Sequence, residues 1–264
     1  MADIAPILQK MRADAPLTQC ITNYVAMNIA ANVLLAAGAS PAMVHAKEEA
    51  GEFAGIASAV TINIGTLSPD WLAGMKAAIE TANGKQTPWV FDPVAHFATG
   101  FRARAALELL DLGPTILRGN ASEILAFSGA TSAGKGVDAG DSVAAAEETA
   151  KTLANERNMV VAVTGERDFV TDGTRSARIG GGSPLMPRVT ALGCALTALV
   201  GGYAGAWRAD AFEATIAALA HYGVAGSRAH GRAEGPGSFQ VHFLDALAAV
   251  TPEALAREAE IEWP

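Results

Sequence analysis

Six short runs of mostly apolar residues that do not alternate with polar ones set the rhythm of this chain: LTQCIT (17–22), PAMVHA (41–46), VTINIG (60–65), WVFDPV (89–94), TILRGN (115–120) and MVVAVTG (159–165). A strand with one wet face alternates, whereas a strand that is apolar throughout has both faces covered. Helix-like stretches lie between the runs, among them 25–37, 48–59, 69–83 and 121–128. Parallel strands joined by right-handed helical crossovers satisfy both observations. The predicted fold is α/β, a three-layer α/β/α sandwich with a mostly parallel central sheet. Asp172-Gly173-Thr174 is a hairpin signal between two short strands, so an antiparallel edge follows the parallel ones. After it the pattern turns helical, over 194–206, 210–230, 238–249 and 252–261. No repeat, low-complexity tract or linker interrupts the chain, so a single domain over residues 1–264 is expected.

Half the residues are hydrophobic and only 17% are charged, enough apolar material for a sizeable core. The formal charge of −8, with no Lys/Arg-rich run, argues against nucleic acid or an anionic membrane as a partner. The opening MADIAPILQKMRADAP has no apolar signal core, and the apolar stretch 191–207 is broken by Gly193, Gly201, Gly202 and Gly205. A cytoplasmic protein is expected. Cys20 and Cys194 are the only cysteines, and they form neither a disulfide framework nor a zinc site.

Ligands of open parallel sheets collect beyond the carboxyl ends of the strands. Here those ends read Asn23, Gly65-Thr66, Asp92-Pro93, Arg118-Gly119-Asn120 and Thr164-Gly165-Glu166. Each alone is a turn; together they predict one polar rim. A sixth piece is the turn Ala191-Leu192-Gly193, which opens into a helix read as starting at Cys194. Orphan N–H groups and the positive end of the dipole suit an anion such as phosphate there. A thiol at that place is expected to ionise more easily than a free cysteine; the competing reading is a buried structural cysteine. Arg118 has the fork to bind a phosphate. Glu123 and Asp92 each have two readings, as local structural carboxylates or as groups beside a hydrated Mg²⁺.

Several motifs fail. GATSAGKG (129–136) imitates a phosphate loop through Lys135, but Gly136 replaces the required Ser/Thr and the segment follows a helix rather than a strand. The five histidines show no metal-ligand spacing. A Cys–His nucleophilic pair, Cys194 with His45 or His96, is conceivable, but nothing in the sequence places the two together.

The segments QCITNYVAMNIAANVLLAAGASPAMVHAKEE, INIGTLS, FDPVA, LRGNASEI, KGVDAGDS, VAVTGERDFVTDG, PLMPRVTALGCALTA and GPGSF..HFLDAL run from Gln19 to Leu247. As a set they resemble the hydroxyethylthiazole kinases of thiamin salvage, of the ribokinase-like superfamily. The resemblance implies ATP- and Mg²⁺-dependent phosphorylation of the primary alcohol of 4-methyl-5-(2-hydroxyethyl)thiazole. It also implies a homotrimer with active sites between subunits. By motif, Met43, Asn23 and Ala191 correspond to the substrate pocket, and Arg118, Thr164, Asn120 and Gly193 to ATP and phosphate binding. Cys194 corresponds to the catalytic position, as a base or a positioning group, and Asp92 and Glu123 to metal carboxylates. Two departures bear on substrate preference: the family often has V-T-G-x-G-C where Ala191-Leu192 stand here, and small residues where His96-Phe97 follow DPVA. Three other readings remain: a kinase of a related heterocyclic alcohol, a binding sensor without turnover, and a thiol-dependent hydrolase.

Overall fold

The structure, a computed structural model, describes residues 3–128 and 143–264. Among them, six parallel strands come first: β1 (Leu17–Ile21), β2 (Ser40–Ala42), β3 (Ala59–Asn63), β4 (Trp89–Asp92), β5 (Ile116–Asn120) and β6 (Val160–Thr164). Their order is β2-β1-β3-β4-β5-β6, and an antiparallel edge of β7 (Asp168–Thr171), β8 (Ser176–Ile179) and β9 (Ile261–Glu262) completes the sheet. The expected hairpin joins β7 to β8. Gly173 sits there at φ +92°, and the Asp172 carboxylate accepts from the Thr174 and Arg175 amides.

Successive side chains of a strand point to opposite faces, so the inner parallel strands can feed two cores. Cys20, Val90, Ile116 and Ala162 enter the layer shared with α1 (Ala5–Asp14), α2 (Met27–Ala37), α8 (Leu192–Ala206), α9 (Ala211–His230) and α10 (Pro236–Ala249). Ile21, Trp89, Phe91, Leu117, Val161 and Val163 enter the other. That layer is covered by α3 (Ala50–Ala54), α4 (Pro69–Gly84), α5 (Gly100–Leu110), α6 (Ala121–Ala126) and α7 (Val143–Arg157). The three-layer sandwich follows from runs apolar on both faces. Each large side chain buried this way contributes about 1.5–3 kcal/mol.

The central helix α8 lies against the sheet with glycines on its contacting face. A methyl group at Gly201 would strike the Thr61 side chain, so only glycine permits this approach. Three helices of that layer are tied by one buried imidazole. The Tyr203 hydroxyl lies 2.8 Å from His221 Nδ1, and Nε2 lies 3.0 Å from the Leu247 carbonyl. A carbonyl only accepts, so Nε2 carries a proton, and because burial disfavours a second one, Nδ1 accepts from the tyrosine hydroxyl and the ring is neutral. Burial pushes the His221 pKa down to about 3.

Several boundaries differ from expectation; the helix expected over 48–59, for one, spans only Ala50–Ala54, and Ala59 already belongs to β3. The strand expected over 41–46 covers only Ser40–Ala42; it is a sheet edge with Pro41 inside it, which has no N–H to donate. The helix expected over 252–261 ends at Glu258 as α11 (Pro252–Glu258), and Ile261–Glu262 pair with β8 instead. The central helix begins at Leu192 rather than Cys194, with Ala191 as its N-cap in the left-handed region at φ 61°. No helix among the described residues is long and apolar enough to cross a membrane.

Candidate active site

The amino end of α8 is where the polar strand ends converge. Its N-cap, Ala191, has no side chain able to satisfy the first-turn amides, which have no intrahelical acceptor. Gly193 is exposed and lies above a buried guanidinium: a Cβ there would stand 3.4 Å from both Arg118 Nη1 and Nη2. Arg118 leaves β5 and is held from below. Its Nη2 donates to Thr164 Oγ1 at 2.5 Å, and its Nη1 lies 3.5 Å from Asp92 Oδ2. Arg118 Nε is buried with no partner in the protein.

On one side of this helix end opens a cavity of about 900 Å³. Its polar lining includes Arg118, Thr164, Asn120 and Asp168, with Gly193, and its apolar lining includes Gly180–Gly182, Met186, Leu219 and the Tyr222 ring. The volume and the mixture of an apolar body with a few convergent polar groups are those of a nucleotide-sized ligand site. The Tyr222 hydroxyl donates to the Leu192 carbonyl at 2.8 Å and so fixes the helix end from the cavity wall.

Cys194 is turned the other way. Asn23 Nδ2 donates to its Sγ at 3.3 Å and to Asn63 Oδ1 at 2.9 Å. Asn63 Nδ2 donates to Asp92 Oδ2 at 2.8 Å, and Thr197, one turn beyond Cys194, donates to that same oxygen at 2.7 Å. The strand ends of β1, β3 and β4 are thereby joined to the helix, and the thiol and the guanidinium face opposite sides of one turn.

Asp92 is fully buried; its Oδ1 has no partner. Burial pushes its pKa up to about 6, against the pull of Arg118 and of the Asn63 and Thr197 hydrogen bonds. Asp168, whose carboxylate accepts from the Gly165 amide, is likewise pushed up to about 6 by burial. Arg118 is held above its ordinary value: desolvation opposes its charge, but Asp92, Glu123, Cys194 and Asp168 outweigh it.

The expectation that Cys194 ionises easily is corrected. Its pKa is raised, first by burial and then by the negative charge of Asp92; the Asn63 and Asn23 amides and Arg118 oppose this without reversing it. The thiol therefore stands protonated at neutral pH.

Glu123 serves as a local structural carboxylate. Asn120 and Glu123 form a reciprocal cap at the start of α6, Asn120 Oδ1 accepting from the Glu123 amide and Glu123 Oε2 from the Asn120 amide. Its other oxygen, Oε1, accepts from the Ala95 amide at 2.9 Å, yet the carboxylate still acts electrostatically on Asp92, Arg118 and His96. No group of three or more metal-binding side chains exists among the described residues. Magnesium needs fewer, one or two carboxylates with phosphate oxygens and water, and the orphaned Oδ1 of Asp92 fits that requirement.

Met43 is half-buried on the loop after β2 and packs, like Ala191, against the layer containing α8. His96 does not pair with Cys194; its ring stacks on Phe127 at 4.1 Å between centroids. His45 lies against Trp71 instead. The segment 129–136 with Lys135 lies outside the described residues.

Asn63, Thr197 and Asp168 stand in this cluster or line its cavity, though none is among the candidate residues named from the sequence. Asn63 is a polar residue inside an otherwise apolar run, and Thr197 stands three residues after Cys194, on the same helix face. Both were visible signals. Asp168 gave none, since its position depends on the β7 hairpin folding back.

The sequence profile of the hydroxyethylthiazole kinase family matches residues 8–253. A hydroxyethylthiazole kinase of Rhizobium rhizogenes is 62% identical over 255 residues, covering 97% of this chain and 95% of that one. The solved hydroxyethylthiazole kinase structure of Pyrococcus horikoshii OT3 superposes with a TM-score of 0.91 at 39% identity, covering all of both chains. The pyridoxal kinase of Staphylococcus aureus, solved with AMP-PCP and pyridoxal, shares the fold at a TM-score of 0.64 and 14% identity, covering 94% and 98% of the two chains.

Proposed function

The chain belongs to the hydroxyethylthiazole kinase family, and from that premise we propose that it phosphorylates the primary alcohol of 4-methyl-5-(2-hydroxyethyl)thiazole with ATP, in thiamin salvage. The observation that carries this reading is the single turn at Gly193–Cys194, which separates a nucleotide-sized cavity from an amide-lined thiol. A phosphoryl group passing from one side to the other crosses the uncapped amides.

In the proposed reaction the alcohol oxygen forms a bond to the γ-phosphorus as the bond to the β,γ-bridging oxygen breaks. ADP leaves with that oxygen, and the alcohol proton is released. Arg118 and the first-turn amides stabilise the charge on the transferring group. Asp92 through Oδ1, with Glu123 beside it, would hold Mg²⁺, which supplies charge neutralisation of the phosphates when bound. Thr164 and Asn120 keep the arginine and the strand end in place. Cys194, being protonated, suits positioning of the alcohol better than removal of its proton. Asn23 orients the thiol, and Met43 and Ala191 border the ring.

A homotrimer with acceptor pockets between subunits belongs to the same reading. Tyr24 and Val25, directly after Asn23, are 68% and 58% exposed and support it as a surface for a second copy. Light scattering of the purified protein tests the trimer. One continuous domain and a cytoplasmic location complete the proposal.

The decisive experiment measures ADP release from Mg-ATP with and without the thiazole alcohol, with the product identified by mass. Release that depends on the thiazole establishes the activity. Saturable thiazole binding without release would instead make the protein a sensor.

A further inference from the structure

Arg102 belongs to none of the motifs above, yet it joins both walls of the acceptor side. It lies in the first turn of α5, where its amide donates to the cap residue Thr99. Its guanidinium reaches three carbonyls on two strand ends. Nη1 donates to Ile64 at 2.8 Å and to Val94 at 2.9 Å, and Nη2 donates to Gly65 at 2.5 Å. No carboxylate pairs with it among the described residues. A guanidinium spent on backbone carbonyls alone fixes loop positions rather than balancing charge.

The two loops it fixes border residues of the site. Gly65, held through its carbonyl, presses directly on Asn23: a Cβ at Gly65 would come within 2.7 Å of Asn23 Nδ2. Its amide donates to Asn63 Oδ1 at 2.9 Å, the oxygen that also accepts from Asn23. Asn23 then has one geometry in which Nδ2 reaches both Asn63 and the Cys194 thiol. On the other strand, Val94 precedes Ala95, whose amide is bound by Glu123.

We propose that Arg102 is a positioning residue for the acceptor alcohol, acting through Gly65 and Asn23 on the Cys194 thiol. The kinetic part of this proposal rests on the kinase reading; the thiol part does not. Hydrogen bonds to a charged donor are strong enough for their loss to be read as about a tenfold effect or more.

The test is a double-mutant cycle of Arg102→Ala, Asn23→Ala and both together, with Arg102→Lys beside it. Arg102→Ala is expected to raise the KM for the thiazole about tenfold while the KM for ATP changes less than about twofold. In the Asn23→Ala background the same change should add less than about twofold, because the path to the thiol is already cut. The second readout is the pH midpoint of iodoacetamide labelling at Cys194, followed by mass in protein without substrates. Both single variants should move it upward, since an amide donor to sulfur is lost or misplaced, and the double variant no further. Arg102→Lys, which keeps the charge but cannot span three carbonyls, should fall between wild type and alanine, and it carries the comparison if the alanine variant does not fold.

Additive effects on the thiazole KM, an equal rise in both KM values, or an unmoved labelling midpoint would each overturn the proposal and leave Arg102 a scaffold clamp. Labelling of the buried Cys20 at the rate of Cys194 would show general loosening and overturn it as well. If wild-type protein fails to phosphorylate the thiazole, the kinase reading falls, and the labelling cycle still judges Arg102.

Discussion

Gly193 stands directly over Arg118, with both terminal nitrogens of the guanidinium 3.4 Å from the point a Cβ would occupy. That distance is ordinary contact, so alanine fits here, but its methyl fills the space in which a phosphoryl group would meet the arginine. Gly193→Ala is therefore expected to gain up to about 1 kcal/mol of stability from helix propensity. It should lose about tenfold or more in turnover. Melting curves beside ADP-release rates check this pair, and a variant that is both more stable and fully active would remove Gly193 from the phosphate site.

Cys194 and Arg118 should separate by kinetic constant. Cys194→Ala is expected to lower kcat about 10- to 100-fold with little change in the KM for ATP. Arg118→Ala should chiefly raise the KM for ATP. It also removes the cation nearest the buried Asp92 and should destabilise the fold by about 3–5 kcal/mol. Equal effects of the two substitutions on ATP affinity would contradict these roles.

Ala191 holds the left-handed conformation that glycine adopts freely. Ala191→Gly is expected to stabilise the protein by up to about 1 kcal/mol, against the usual trend for alanine-to-glycine changes. For a chain of this size that is a rise of about 2–4 °C in Tm. A lowered Tm would show that the surrounding turn relieves the strain already.

Asp92 and Asp168 give activity and stability opposite pH slopes. Each has its pKa pushed up to about 6, so kcat/KM for ATP should fall as pH drops through that value. Stability behaves in reverse. Their folded pKa lies above the free value of 3.8, so the folded state holds more protons between the two. The stabilising contribution is complete below the lower value and is lost as pH rises to the upper, by at most about 1.4 kcal/mol per pH unit for each group. Asp168→Asn removes one of them, and unfolding free energies of wild type and variant should diverge across that window. A constant difference would rule out the elevated pKa.

His221 contributes with the other sign. Its pKa falls from 6.5 to about 3 on folding, so stability present above 6.5 is lost as pH drops toward 3. Glutamine can keep both hydrogen bonds without titrating. His221→Gln should therefore be flatter than wild type in acid denaturation, and parallel curves would count against the neutral buried ring.

The parallel strands were legible because burial on both faces leaves its mark residue by residue, as in WVF and VVAV. The extent of the short edge strand was not, since Pro41 and three paired residues carry little pattern. The rim of strand ends could be listed from sequence, but not what each end touches. The acidity of Cys194 was not legible because a helix start is visible locally, whereas the burial that chiefly raises the thiol pKa, and Asp92 from about a hundred residues earlier that adds to it, come from the tertiary fold. Arg102 was invisible for a similar reason: its three acceptors are backbone carbonyls, which no side-chain pattern reports.

The division of labour around the Gly193–Cys194 turn has an evolutionary corollary. In the proposed reading, Met43, Asn23 and the Tyr24–Val25 edge hang on β1 and β2, whereas the cavity assigned to the nucleotide is lined from β5 to β8, α8 and α9. Under that reading, mutational drift in the first group can explore new alcohols while the half proposed for the phosphate donor stays intact. A directed-evolution library aimed at other heterocycles is best confined to that edge of the sheet, leaving the pivot and everything beyond it untouched.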